Sequence, residues 1–148
     1  MGASFSTFGR KARARAHGAL PPLVSLSKEC TPMNDTLFGK IIRREIPATI
    51  VYEDEEVLGF KDIAPQAPVH VLFIPKNELI PTMDDLQPGQ AALVGRLVLA
   101  AASYARQQGL AENGYRVVIN CREDAGQTVF HLHLHLLAGA QLGHFGTP

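Results

Sequence analysis

Cysteine is scarce in this chain: its 148 residues hold only Cys30 and Cys121, far apart and without a Cys-x-x-Cys pair. That argues against a disulfide framework and against a thiolate zinc site, and it fits a reducing, cytoplasmic compartment. Net charge is lacking too, with 14 basic and 14 acidic side chains, so no overall field recruits a polyanion and no nucleic-acid partner is expected. No apolar stretch approaches the roughly 20 residues that span a bilayer, so the chain is read as soluble with no membrane partner. At 46% hydrophobic composition it can bury one modest core, and a single compact domain is expected.

What charge there is lies unevenly. Up to Pro32, Arg10, Lys11, Arg13, Arg15 and Lys28 face Glu29 alone, a local excess of +4, whereas the remainder carries nine basic and thirteen acidic residues. Residues 1–32 are also rich in Gly, Ser, Ala and Pro and have no apolar periodicity, so they are expected to form a basic, disordered N-terminal extension, with the domain at 33–148. An Arg-rich, acid-poor start is also the composition of an organellar transit peptide, which would place the chain in an organelle instead. Met1-Gly2 with Ser6 fits the short myristoylation pattern, and Met33 is a candidate alternative start.

From Met33 the punctuation predicts an α+β domain. Asn34-Asp35 is expected to cap a short helix through Leu37, Phe38, Ile41 and Ile42, ended by Pro47. A hairpin follows, with strands at Thr49–Tyr52 and Val57–Phe60 around an acidic turn, then a loop at Ala64-Pro65-Gln66-Ala67-Pro68 and a third strand at Val69–Pro75. Pro88 suits the first turn of a long helix running to Ala105 and stopped by Gly109. Tyr115–Asn120 and Thr128–Leu137 read as the fourth and fifth strands. Short links between these elements imply a five-stranded antiparallel sheet carrying two helices.

The fifth strand carries the chemistry. Because strand side chains alternate between faces, His131, His133 and His135 are expected on one face and Leu132, Leu134 and Leu136 on the other, in the core. Three of the chain's six histidines on one face are more than a core needs, since desolvated imidazoles require partners and would repel if charged. Two chemistries use such a row. One is metal ligation by neutral imidazole. The other is phosphoryl or nucleotidyl transfer, in which one imidazole attacks phosphorus while its neighbours stabilise charge on the oxygens. The spacing alone leaves both open.

The run His131-Leu132-His133-Leu134-His135-Leu136-Leu137 resembles the signature of the histidine triad superfamily, three histidines alternating with apolar residues. Phe38-Gly39-Lys40-Ile41-Ile42, Tyr52-Glu53-Asp54, the stretch from Asp62 to His70, Ile74-Pro75-Lys76, the stretch from Gly114 to Asn120, and Gly126-Gln127-Thr128-Val129-Phe130 all resemble its Hint branch in bacterial form, the histidine triad nucleotide-binding proteins. The likeness runs from about Thr36 to about Leu142 in the expected order.

That resemblance implies a purine nucleoside phosphoramidase. Such an enzyme hydrolyses phosphoramidates, aminoacyl adenylates among them, to a nucleoside monophosphate and an amine through a nucleotidyl-histidine intermediate. It implies His133 as nucleophile, with His135, His131 and the additional His70 in the catalytic group. Asn120 and the segment Gly126, Gln127 and Thr128 would contact phosphate, Thr128 standing where the branch commonly has serine. Asp62 would accept hydrogen bonds from the ribose, and Phe38, Ile41, Phe60 and Ile63 would wall the purine. No cofactor or metal is implied: zinc-binding relatives carry cysteines near the first helix, where here Gly39 follows Phe38 with no thiol pair in reach. A homodimer with a continuous sheet is implied, paired through the long helices and a strand edge. A dinucleoside-polyphosphate hydrolase of the same superfamily and a non-catalytic nucleotide-binding regulator are the alternatives. Two departures bear on the leaving group: Ala138-Gly139-Ala140 replaces the usual Gly-Gly-Arg, and the tail from Gly143 to Pro148 lacks the tryptophan and proline pair often found there.

Overall fold

The computed structural model describes residues 35–144 and 146. The expected extension at 1–32, the Asn34 half of the expected helix cap and most of the tail after His144 lie outside them.

Among the described residues, two α-helices and five strands follow one another as α1 (Leu37–Ile42), β1 (Ile50–Glu53), β2 (Val57–Lys61), β3 (Val69–Pro75), α2 (Ala91–Gln107), β4 (Arg116–Val118) and β5 (Leu134–Ala138). The strands form one sheet in the order β1-β2-β3-β5-β4, antiparallel throughout. The central strand β3 pairs with β2 over Val71–Pro75 and with β5 over Val69–Phe73, so Val69↔Ala138 and Leu72↔His135 are cross-strand neighbours. The expected α+β architecture is the one observed.

Several boundaries differ from expectation, β4 among them: of the expected Tyr115–Asn120 only Arg116–Val118 pairs with β5. The cap of α1 is Thr36, whose hydroxyl accepts the Gly39 N–H at 2.9 Å; Asp35 instead lies 3.5 Å from Lys40 and 3.9 Å from Arg43. The helix ends at Ile42, well before Pro47, with Arg44 at φ 61° starting the turn away. The fifth strand begins only at Leu134; upstream, the Leu132 N–H reaches the Ile80 carbonyl at 2.6 Å, so the chain is anchored to a loop there rather than to a neighbouring strand.

The sheet buries both faces, each under one helix. On one side, Leu97, Ala100, Ala101, Tyr104 and Ala105 of α2 pack on Val57, Val71, Phe73, Leu134 and Leu136. On the other, Phe38 and Ile41 of α1 pack on Leu58, Phe60, Leu72 and Ile74. Each of the buried Val, Leu, Ile and Phe side chains among these contributes about 1.5–3 kcal/mol of transfer free energy. Gly59 is required in β2, because a Cβ there would lie 2.9 Å from both the Phe73 ring and the Tyr52 Cβ. Strand alternation therefore sends Leu134 and Leu136 beneath α2 and turns His135 towards the α1 side, where the site lies.

Candidate functional site

Four imidazoles meet where β3 and β5 pass the first turn of α1. Burial pushes His70, His131, His133 and His135 below their ordinary pKa of 6.5, which keeps the rings neutral at pH 7. For His135 the value falls to about 4, through burial first and then through the facing His133 and His70. Asp62 opposes the shift at His70, His133 and His135. A neutral ring carries one proton, and each hydrogen bond fixes where it sits.

His133 Nδ1 lies 2.7 Å from the carbonyl oxygen of His131. A carbonyl only accepts, so Nδ1 carries the proton and Nε2 keeps its lone pair. Buried at 6% exposure, this ring has an unprotonated nitrogen without needing a base to deprotonate it. Phe38 meets it edge-on, with centroids 5.1 Å apart at 86°.

His70 and His135 form a second unit. The Gln66 backbone N–H donates to His70 Nδ1 at 3.1 Å, so the His70 proton is on Nε2. That Nε2 lies 2.9 Å from His135 Nδ1, which must accept. The His135 proton is thereby placed on Nε2, an atom that is buried and has no hydrogen-bond partner among the described residues. A buried N–H without a partner is costly unless a ligand supplies one, and the ring that carries it lines the same cleft as His133. The arrangement offers a lone pair and a hydrogen-bond donor from rings whose centroids are 4.8 Å apart.

Two lobes open around this pair. The first, about 340 Å³, is apolar: Phe38, Ile41, Phe60, Ile63, Leu72 and Val129 line it, with His133 and His135 also on its wall. Its volume is that of a small-molecule site. The second, about 380 Å³, is lined by Gln66, His70, Val118, Asn120 and Leu137. Asp62, Ala64, Gly126, Thr128 and His135 border both. Asp62 Oδ1 accepts the Ala64 N–H at 2.8 Å while Oδ2 stands 3.5 Å from His70 Nε2, so it serves both as a turn cap and as a site carboxylate.

Most of the expected residues thus converge, and two do not reach either lobe. His131 is completely buried and lines neither. The chain has not entered β5 at this point, so simple alternation does not apply, and the three histidines are a pair plus a buried support. Gln127 also turns inwards at 4% exposure. Its Oε1 accepts the Arg122 N–H at 2.8 Å, and its Nε2 donates to the carbonyls of Pro81 at 2.8 Å and Val129 at 3.1 Å. Its side chain holds the loop that presents Gly126 and Thr128. Sequence reasoning missed the apolar residues Leu37, Ile46, Ala48, Leu72 and Val129, whose residue types do not distinguish a cleft wall from core. It also missed Thr36, whose signal was available: threonine directly before an apolar helical run is a favoured cap.

Asp62, His70 and His135 have potential ligand atoms within 4.8 Å of one another. An ion held there would need the His70 Nε2 lone pair, yet the Gln66 N–H claims Nδ1 and leaves Nε2 protonated. Moving that proton would set two N–H groups against each other. The donor set fits a hydrogen-bond relay better than a metal centre.

A five-stranded sheet flanked by two helices, with neutral imidazoles at the junction of an apolar and a polar lobe, defines a nucleotide-handling protein of the histidine triad class. The HIT domain family matches residues 43–142. The purine nucleoside phosphoramidase of Escherichia coli K12 is 51% identical over 109 residues, covering 74% of this chain and 91% of that protein. Two solved structures align closely. A HIT family hydrolase from Clostridium thermocellum is 49% identical, with a TM-score of 0.72 over 76% of this chain and 97% of that one. One from Legionella pneumophila is 47% identical, with a TM-score of 0.70 over 72% and 95%. The chain belongs to the HIT family, in its Hint branch, and is a hydrolase.

Proposed function

We propose that this protein hydrolyses purine nucleoside phosphoramidates, aminoacyl adenylates among them, to a nucleoside monophosphate and an amine, with His133 as nucleophile. The observation that carries this reading is the 2.7 Å bond from His133 Nδ1–H to the His131 carbonyl, which leaves Nε2 unprotonated on a ring that lines the cleft. The printed name of the Escherichia coli relative supports the substrate class.

In this reading the purine lies in the apolar lobe against Phe38, Ile41, Phe60 and Ile63, and Asp62 accepts from the ribose hydroxyls. His133 Nε2 attacks the α-phosphorus. The P–N bond breaks, and its electron pair leaves with the amine, which takes a proton from water in the polar lobe. His135 Nε2–H donates to a phosphoryl oxygen, gaining the partner it lacks among the described residues. Asn120, Thr128 and the Gly126 backbone complete the phosphate contacts. Water then attacks phosphorus, the Nε2–P bond breaks and the ring recovers its lone pair, with the proton released to solvent.

Steady-state kinetics on a phosphoramidate panel beside a diadenosine polyphosphate test the reading. The phosphoramidates are turned over faster, and His133→Ala abolishes turnover while leaving nucleotide binding largely intact. Persistent activity in that variant would falsify the mechanism. A homodimer is part of the proposal: β4 is an edge strand, and Val117 on it and Val98 and Leu99 on α2 expose apolar surface. Sedimentation at micromolar concentration gives the mass of two chains, and a monomeric mass removes this element.

A further inference from the structure

Thr36 does more than start a helix. Its Oγ1 accepts the Gly39 N–H at 2.9 Å and lies 2.9 Å from His131 Nδ1. A hydroxyl has one proton, and with the Gly39 N–H donating into the oxygen, that proton is free to point at Nδ1. The other side of the ring requires the same assignment. His131 Nε2 stands 3.2 Å from the Pro75 carbonyl, which only accepts, so Nε2 is protonated and Nδ1 carries the lone pair. Both ring nitrogens of a fully buried imidazole are thereby satisfied, in a single tautomer.

The backbone of this locked residue aims the nucleophile, because the His131 carbonyl holds His133 Nδ1–H. The helix that Thr36 caps carries Phe38, whose ring meets both His131, at 6.0 Å between centroids, and His133, at 5.1 Å. We propose that Thr36 is a positioning residue, a single hydroxyl that ties the purine-wall helix α1 to His131 and through it sets the orientation of His133. The inference rests on His133 being the nucleophile.

Three substitutions separate capping from donation. Thr36→Ser keeps both. Thr36→Asp keeps the cap, since aspartate is as good an N-cap as serine, but a carboxylate cannot donate to Nδ1. Thr36→Val, of nearly the same shape, does neither. Turnover of an adenosine phosphoramidate is read as kcat and KM separately, and the tautomer of His131 by its ring ¹⁵N shifts. Thr36→Ser retains kcat within about twofold and keeps the unprotonated Nδ1. Thr36→Asp and Thr36→Val lower kcat on the order of tenfold, more than they change KM, and Thr36→Asp alters the His131 nitrogen shifts. Wild-type kcat in Thr36→Asp overturns the inference, as does an equal loss in Thr36→Ser and Thr36→Val. Turnover by His133→Ala would defeat the parent reading instead, and the ¹⁵N shifts report on the Thr36 bond independently of activity.

Discussion

His70 Nε2 sits 2.9 Å from His135 Nδ1, and since the Gln66 N–H already occupies His70 Nδ1, the proton between the two rings belongs to His70. His135 is thus prepared as a donor at Nε2 by a neighbour that borders only the polar lobe. His70→Phe keeps a flat ring but removes the donor, freeing His135 to move its proton to Nδ1. We expect kcat to fall by about ten- to a hundredfold, whereas His70→Gln, whose amide N–H can replace the donor, loses less. Equal losses in the two variants would show that shape, not the hydrogen bond, is what His70 supplies.

The depressed imidazoles set a pH dependence. The folded pKa of His135 lies near 4 against an ordinary 6.5, and those of His70, His131 and His133 are lowered in the same direction. The unfolded chain therefore binds protons first on acidification. Stability from these groups is fully present above about pH 6.5 and is lost as pH falls through that value towards 4. Thermal midpoints at pH 7.5, 5.5 and 4.5 should decline, and His135→Gln, lacking one such group, should decline less steeply, which isolates the imidazole share from that of the carboxylates. Activity follows the same sign in the proposed mechanism, where attack needs neutral His133: kcat/KM should be flat above about pH 7 and fall only on the acid side.

Much of this was legible in the sequence because the signals were local. Alternation predicts Leu134 and Leu136 beneath α2 and His135 opposite, and β5 obeys it. Val69–Pro75 is a strand with the expected limits. The cap of α1 and the start of β5 were not predicted, for one shared reason. Thr36 is chosen over Asn34-Asp35 partly by a partner 95 residues away, His131, and the segment from Thr128 to His133 has strand composition but forms long-range bonds to the Ile80 and Pro75 carbonyls rather than strand pairing. Tertiary contacts of that range decide what propensity alone leaves open. The inward turn of Gln127 belongs with these, for a glutamine beside Gly126 carries no mark of burial.

Arg122 holds a backbone conformation suited to glycine, with φ 66° and ψ −171°. Such a conformation costs of order 1–3 kcal/mol in a residue with a Cβ. The surroundings that impose it are the Arg122 N–H to Gln127 Oε1 at 2.8 Å, the return bond from the Gln127 N–H at 3.0 Å, and an exposed pair with Asp84 at 2.9 Å. Arg122→Gly removes the strain and loses a surface ion pair of about 0–1 kcal/mol, while its added unfolded-state entropy offsets up to about 1 kcal/mol. These terms span a net loss of about 1 kcal/mol to a net gain of about 3 and centre on a gain of about 1 kcal/mol, so the expected variant is more stable than the parent by a few degrees in Tm. A lower midpoint would mean that the Asp84 pair outweighs the backbone strain.

Gln127 is the opposite case, a buried side chain whose loss leaves other groups stranded. Gln127→Ala deprives the Arg122 N–H and the Pro81 and Val129 carbonyls of their side-chain partner at once. Arg122 and Pro81 are exposed residues, so water replaces part of what the amide gives up and the cost stays below the roughly 1–3 kcal/mol of a fully buried unsatisfied group. The damage should fall on the loop carrying Gly126 and Thr128, which borders both lobes, while the His133 bond to the His131 carbonyl lies beyond it. We therefore expect KM for a phosphoramidate and Kd for the nucleoside monophosphate to rise together by about tenfold or more, with a smaller change in kcat. Gln127→Glu is the sharper probe: the carboxylate accepts from Arg122 N–H but cannot donate to Pro81 or Val129 unless protonated. Its nucleotide affinity should recover below about pH 5 if the donor half of the amide matters. If the affinity stays low at every pH in that variant while its fold is intact, the acceptor half and the shape of the amide are not enough to hold the loop, and donation is not what was missing.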